Sequence, residues 1–121
     1  MKKTWRVLLI AYAVMGLGIC VAVVNISHAS EKVIHLTAKK FEFAPAEIIV
    51  KKGEPVAIEI KSDDVKHGFI LADFGVRTDI KPGQTNVVHF TPDKAGQFTF
   101  TCDVFCGSGH EEMSGTLTVT E

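Results

Sequence analysis

Beyond its first 30 residues, the chain consists of short runs in which apolar and polar residues alternate, separated by turn-forming residues. The run 55–61 alternates, so that Val56, Ile58 and Ile60 would share one face of an extended strand. The sequence KPGQ at 81–84 places proline before glycine, as in a type II turn. No convincing helical pattern occurs in this part. The alternation therefore predicts an all-β domain, an antiparallel β-sandwich or barrel of short strands.

The N-terminal segment has a different composition. A positively charged start precedes an apolar run over 7–24, and 27–29 has the small-x-small pattern of a cleavage site. This is the layout of a secretory signal peptide. The apolar run of about 18 residues is also near the lower limit for a membrane-spanning helix. Residues 1–29 are therefore predicted to be either a cleaved signal or a single membrane anchor, and both predictions place domain 30–121 outside the cytoplasm.

The predicted domain carries a net negative charge. The sequence has 13 basic and 14 acidic residues, and three of the basic ones, Lys2, Lys3 and Arg6, precede the domain. Ten basic against fourteen acidic residues leave a net charge of −4, which argues against nucleic-acid binding because that function needs a basic surface. An acidic surface would suit a basic protein partner. The pair Asp63-Asp64 could contribute to it, although a solvated loop is the simpler interpretation.

Four potential metal ligands lie within twelve residues near the C-terminal end, and a fifth lies upstream. They follow the pattern Cys-x3-Cys-x3-His-x2-Met, and the five residues are His67, Cys102, Cys106, His110 and Met113. Thiolate, imidazole and thioether groups are soft or borderline ligands, which suit copper better than magnesium or calcium. A Cys102–Cys106 disulfide and a zinc site are the alternatives. A disulfide would need neither His110 nor Met113, and a thioether is a poor zinc ligand.

The number of thiols bears on the number of metal ions. A mononuclear blue-copper site would need only four of the candidate ligands, namely His67, Cys106, His110 and Met113. Cys102 is then surplus, and two thiolates on one loop could bridge two copper ions, each with one imidazole. One copper could take the thioether and the other a backbone carbonyl, for which Val104 is the middle residue between the cysteines. An electron shared by two metals changes each bond little, so such a centre suits single-electron transfer.

At these residues the chain resembles the CuA domain, the binuclear-copper cupredoxin of cytochrome c oxidase subunit II and of the nitrous oxide reductase C-terminal region. The matching residues are His67, Cys102, Cys106, Gly107, His110 and Met113, within a resemblance that covers roughly 33–121. The resemblance implies a Greek-key cupredoxin β-sandwich that holds two copper ions. It also implies a role for each ligand: His67 and His110 terminal, Cys102 and Cys106 bridging, Met113 a weak axial ligand and Val104 a carbonyl donor.

The chain departs from this family at two kinds of position. Val104 stands where family members often carry Glu, Gln or Trp, so a polar side-chain role there is not carried over. The single tryptophan is Trp5, before the apolar run, so the aromatic surface at which the oxidase subunits receive electrons is not carried over either. In place of the family's usual two-helix hairpin, the sequence offers one N-terminal helix, which resembles the short subunit II of ba3-type oxidases.

The resemblance implies a copper-binding electron-transfer protein of the periplasm or the outer face of the cytoplasmic membrane. Its donor would be a redox protein such as a c-type cytochrome. Its acceptor would lie in the membrane or periplasm, and the chain could be a subunit of a haem-copper oxidase. The alternative is an exported copper carrier that serves the assembly of another enzyme. No feature offers a catalytic site within the chain itself, so the sequence leaves open whether the chain is the electron-entry subunit of an oxidase or reductase whose catalysis lies in a haem-bearing partner.

Overall fold

Nine strands form most of the structure, a computed structural model that describes residues 30–121. The strands are β1 (Lys32–Lys39), β2 (Glu42–Ala44), β3 (Glu47–Lys51), β4 (Val56–Ser62), β5 (His67–Leu71), β6 (Val76–Ile80), β7 (Asn86–Phe90), β8 (Gly96–Thr101) and β9 (Ser114–Thr120). Two single 3-10 turns lie at Ala72–Phe74 and His110–Glu112. Over the described residues, no helix has the length and apolar character to cross a bilayer. The signal or anchor predicted for 1–29 lies outside them.

The strands form a four-stranded sheet in the order β2-β1-β4-β7 and a five-stranded sheet in the order β3-β9-β8-β5-β6. The prediction of an all-β sandwich is thus confirmed. The prediction that it is antiparallel is wrong for two pairings, because β1 runs parallel to β4 and β3 runs parallel to β9. The chain leaves the first sheet after β2, adds β3 to the second sheet and returns as β4. After this crossover, β4 pairs with β1 and runs in the same direction.

The core lies between the two sheets. On β4 the apolar face predicted from the alternation is fully buried. An aromatic cluster of Phe43, Phe69 and Phe100 joins the sheets, with ring centroids 5.3 to 6.1 Å apart. Phe69 follows His67 by two residues and Phe100 precedes Cys102 by two. Two rings of this packed cluster therefore lie on the neighbouring strands β5 and β8, close to the candidate ligands.

Candidate metal centre

His67 is the first residue of β5, and its imidazole is completely buried. Its Nε2 lies 2.7 Å from Oδ1 of Asp64. A carboxylate can only accept a hydrogen bond, so Nε2 donates, and in the neutral imidazole the lone pair is on Nδ1. That Nδ1 has no hydrogen-bond partner among the described residues. A buried polar atom without a partner reduces the stability of the fold. A metal ion bound at Nδ1 would remove this cost.

Asp64 is held as an anion by three donors. Burial acts to raise its pKa. The backbone N–H of Lys40 at 2.8 Å, the His67 ring and the backbone N–H of Val65 at 2.6 Å outweigh burial and lower the pKa to about 2. Asp64 is therefore an exposed loop residue, as the sequence suggested, but its carboxylate also contacts the buried His67 ring. The spacing Asp-x-x-His was the signal that could have revealed this role.

Cys102 and Cys106 lie side by side as free, buried thiols. Cys102 follows the last residue of β8, and its Sγ lies 3.9 Å from Sγ of Cys106. The two sulfurs and a ring nitrogen of His67 all lie within 4.8 Å of one another. A zinc–sulfur bond is about 2.3 Å long, so two sulfurs at this separation are within reach of one metal ion. The structure therefore has no Cys102–Cys106 disulfide, and its thiols face a common centre with the imidazole.

His110 and Met113 approach the same sulfur from the 3-10 turn. Nδ1 of His110 lies 3.7 Å and Sδ of Met113 lies 3.9 Å from Sγ of Cys106. The thioether is almost fully buried, whereas the imidazole is half-buried. The backbone N–H of Cys102 donates to the carbonyl of Met113 at 3.1 Å. This hydrogen bond closes the segment 102–113, called the ligand loop below, at its two ends.

The carbonyl oxygen of Val104 lies 3.1 Å from Sγ of Cys102, whose thiol donates to it. The backbone N–H of Gly68 donates to the same sulfur at 3.4 Å. A side chain at Gly68 would collide with the Asp103 carboxylate and bring its Cβ 2.9 Å from a Val104 methyl. Glycine is therefore needed where β5 meets the ligand loop. With Val104, the structure brings all six predicted site residues around the two sulfurs.

Burial, followed by the hydrogen bond with Cys102, raises the pKa of the Cys106 thiol to about 11. This thiol therefore stays protonated at neutral pH until a cation replaces its proton, as thiolate ligands of metals require. The donor set is two thiols, two imidazoles, a thioether and a carbonyl. The soft donors and the unpartnered nitrogen of His67 fit a copper ion. They fit zinc less well, because the buried Met113 thioether is a poor zinc ligand.

Two aromatic residues that the sequence analysis did not single out lie against the ligand loop. Phe105 is 78% exposed, the highest value among the large apolar residues of the described part, and its ring centroid lies 5.8 Å from that of His110. The ring of Phe41, from the turn between β1 and β2, covers the loop backbone. A Cβ at Gly107 would lie 2.8 Å from this ring, and one at Gly109 would collide with it.

The comparison with known proteins agrees with this geometry. The family model of the cupredoxin-like domain matches residues 8–119. Cytochrome c oxidase subunit 2 of Thermus thermophilus is 32% identical over 88 residues, which are 73% of this chain and 65% of that protein. Nitrous-oxide reductase of Pseudomonas fluorescens is 34% identical over 90 residues, 71% of this chain and 14% of that protein. The chain thus spans less than two thirds of the length of either relative.

Among solved structures, one chain of a heme-copper terminal oxidase dimer determined by cryo-EM superimposes with a TM-score of 0.67. It is 28% identical, and the match covers 93% of this chain and 87% of that one. The resemblance to oxidase subunit II and nitrous-oxide reductase inferred from the ligand residues is therefore confirmed. The family model covers nearly the whole sequence, and the chain belongs to the cupredoxin-like domain family.

Proposed function

We propose that this chain is an exported copper protein that transfers single electrons through a binuclear CuA-type centre, as subunit II of a haem-copper oxidase would. One observation carries the proposal. Two free, buried thiols lie 3.9 Å apart, and they share their site with a buried imidazole whose Nδ1 has no partner within the described part of the chain. The names of the relatives, cytochrome c oxidase subunit 2 and nitrous-oxide reductase, support a respiratory role.

Two copper ions are favoured over one because Cys102 belongs to the site. A mononuclear blue-copper site uses one thiolate. The Cys102 sulfur is not directed away as a spare core residue would be. It accepts a hydrogen bond from Gly68, contacts the Val104 carbonyl and faces Cys106. We infer that His67 and His110 each ligate one copper, that both thiolates bridge, and that Met113 and the Val104 carbonyl complete the set.

Bound copper would supply the one-electron redox chemistry, and the protein would keep the ligands in place while the charge changes. The ligands would come from the start of strand β5 and from the ligand loop, which follows β8 and is closed by the Cys102–Met113 hydrogen bond. The Phe43, Phe69 and Phe100 cluster packs against β5 and β8 in the core between the two sheets. Both cysteines and Met113 are buried, so little water would rearrange around them. A fixed, dry site lowers the reorganisation cost of each transfer.

The partners are proposed from charge and exposure. The net charge of −4 over 30–121 suits a basic donor, such as a c-type cytochrome. Phe105 offers an exposed apolar contact beside His110, whose imidazole is half-buried whereas His67 is fully buried. The acceptor would be a membrane or periplasmic redox centre, with a haem-copper oxidase the first candidate. The N-terminal 29 residues would deliver the domain to the outer face of the cytoplasmic membrane.

Copper loading tests the proposal. We expect two copper ions per chain by mass spectrometry of the metal and a mixed-valence EPR signal shared by two copper nuclei. Replacement of the surplus thiol, Cys102→Ser, should give one copper per chain and a mononuclear spectrum. Cys20→Ser is the matched control, because Cys20 lies in the N-terminal apolar run, and it should match the wild type. One copper per chain without a mixed-valence signal in the wild type would refute the binuclear centre.

The copper-carrier alternative predicts a different behaviour of the same protein. A carrier gives its copper to an apo-acceptor or a competing chelator within each cycle. An electron carrier retains copper through repeated oxidation and reduction. The measurement is the copper content of the chain after many redox cycles in the presence of a chelator. Retention of both ions supports electron transfer, and loss of copper on each reduction supports the carrier.

A further inference from the structure

An ion pair outside the ligand set holds the segment between the two cysteines. Asp103 lies between Cys102 and Val104, and its carboxylate accepts two hydrogen bonds from Arg77 on β6. Nε donates to Oδ2 at 2.6 Å and Nη2 donates to Oδ1 at 3.1 Å. This is the two-point contact that the planar guanidinium makes with a carboxylate, which fixes direction as well as distance.

On its other side, this segment packs against Gly68, which has no side chain. The Asp103 carboxylate and the Val104 side chain both lie where a Cβ on Gly68 would be. Gly68 pairs with Asp79 across the β5–β6 ladder, and Ile70 pairs with Arg77. The loop segment is therefore confined between the backbone of β5 and the guanidinium of the neighbouring strand, and both contacts come from one rigid pair of strands.

We propose that Arg77 and Asp103 form a clamp that positions the Val104 carbonyl toward the copper site. This inference rests on the proposed function, in which that carbonyl is a copper ligand. Neither residue of the clamp touches the metal. Arg77 acts through Asp103, and Asp103 acts through the peptide that joins it to Val104.

The test uses opposite charges to separate positioning from simple electrostatics. Arg77→Met removes a positive charge and Asp103→Ala removes a negative one. If the two residues acted only through their charges, the variants would shift the copper potential in opposite directions and the double variant would cancel the shifts. The clamp predicts instead that both single variants change the EPR hyperfine pattern and visible bands in the same way. The double variant should then resemble either single variant, because the second change removes nothing further.

Asp79→Asn is the matched control. Asp79 also pairs with Arg77, at 2.8 Å, but does not belong to the ligand loop. This variant removes a carboxylate from the same guanidinium and should leave the copper spectrum as in the wild type. Arg77→Lys keeps the charge but loses the two-point contact, so it should show the spectral change of Arg77→Met. Wild-type spectra for both Arg77→Met and Asp103→Ala would overturn the clamp.

A second readout needs no copper. In the metal-free chain, amide hydrogen exchange at Val104 and Phe105 should become about fivefold faster in Arg77→Met, because the loop segment loses its anchor. Exchange in the core strand β4 should not change. If the wild type binds one copper yet these amides respond, the proposed function fails and the positioning of the segment stands. If the wild type shows a mixed-valence centre and neither readout responds, only the clamp fails.

Discussion

At the scale of single residues, the site depends on which ring nitrogen of His67 is free. Asp64 occupies Nε2 at 2.7 Å, and Nδ1 has no partner among residues 30–121. The carboxylate itself is fixed by the backbone N–H groups of Lys40 and Val65. Lys40 lies in the turn between β1 and β2, in the four-stranded sheet. This turn thus helps to fix which nitrogen of His67 carries the proton. Residues such as Asp64 are conventionally ignored when ligands are counted, yet they set the orientation of the ligand.

Replacement of this carboxylate should weaken copper binding without removing a ligand. In Asp64→Ala the Nε2 proton loses its acceptor, so the imidazole can turn and change tautomer. We expect copper affinity to fall by roughly 10- to 100-fold, the usual loss for such second partners. Competition titration with a copper chelator measures it. The control is Asp63→Ala, which removes the adjacent, exposed carboxylate. Equal affinities for the two variants would contradict this role.

Asp64 should also make the stability of the metal-free chain depend on pH. Its pKa is about 2 when folded, against an ordinary value of 3.8. Because the folded value is the lower one, the unfolded chain binds more protons between these values. The ionised carboxylate therefore stabilises the fold fully above roughly pH 4, and this stabilisation is lost as the pH falls towards 2. Denaturant midpoints should decline more steeply over this interval in the wild type than in Asp64→Ala, and parallel declines would be inconsistent with it.

At the scale of elements, β5 and β8 bring the ligands together while β9 supports them from the side. Gly115 on β9 pairs with Phe100 on β8. A Cβ at Gly115 would collide with the Phe100 ring and lie 2.7 Å from the carbonyl oxygen of Ala46. The ring that supports the Cys102 end of β8 thus occupies the space that the glycine leaves. The packing of β9 against Phe100 therefore affects the position of Cys102, which follows Phe100 by two residues.

This close contact predicts a destabilising substitution. Gly115→Ala adds one methyl group against the ring and a backbone carbonyl, so one of them must move. We expect a loss of about 1–3 kcal/mol in the free energy of unfolding, as for other overpacked cores. Chemical denaturation of the metal-free chain measures it. Thr116→Ala, at the next position of the same strand and only half-buried, is the comparison. A loss no larger than that of Thr116→Ala would show that the core adapts.

The sequence was informative about elements and ligands but not about partners across the fold. Alternation marks Val56, Ile58 and Ile60 as one buried face whichever strand lies beside them. It cannot show that β4 runs parallel to β1, because pairing depends on the path of the chain between the sheets. The ligands were recognisable because five of six lie within one loop. Arg77 was not recognisable, because its partner Asp103 is 26 residues away in sequence. Asp64 and Phe105 lie near their histidines in sequence, but only the fold shows that these side chains are in contact.

At the scale of the whole molecule, the domain over 30–121 is acidic and exposes the ring of Phe105 beside the candidate metal centre. The two features should act at different stages of an encounter. The net charge of −4 over 30–121 would attract a basic donor from a distance, and salt would screen that attraction. Phe105 would act only on contact, where its ring lies next to His110.

Electron exchange with a basic c-type cytochrome should separate these stages. The rate should fall as ionic strength rises, in the wild type and in variants of Phe105 alike. Phe105→Ala should lower the rate at every salt concentration and leave the copper spectrum unchanged. Stopped-flow mixing measures both. The control is Ile49→Ala, which removes an exposed apolar side chain from β3. A rate for Phe105→Ala equal to that of Ile49→Ala would exclude Phe105 from the contact.

The unpartnered Nδ1 of His67 has a thermodynamic consequence. Until a metal ion arrives, the folded chain carries a buried polar atom that the unfolded chain would hydrate. Ligation removes this penalty in the folded state alone, so copper binding and folding are linked equilibria. The population of native protein would then follow the copper activity of its compartment. Starvation for the metal would therefore lower the free energy of unfolding of this domain.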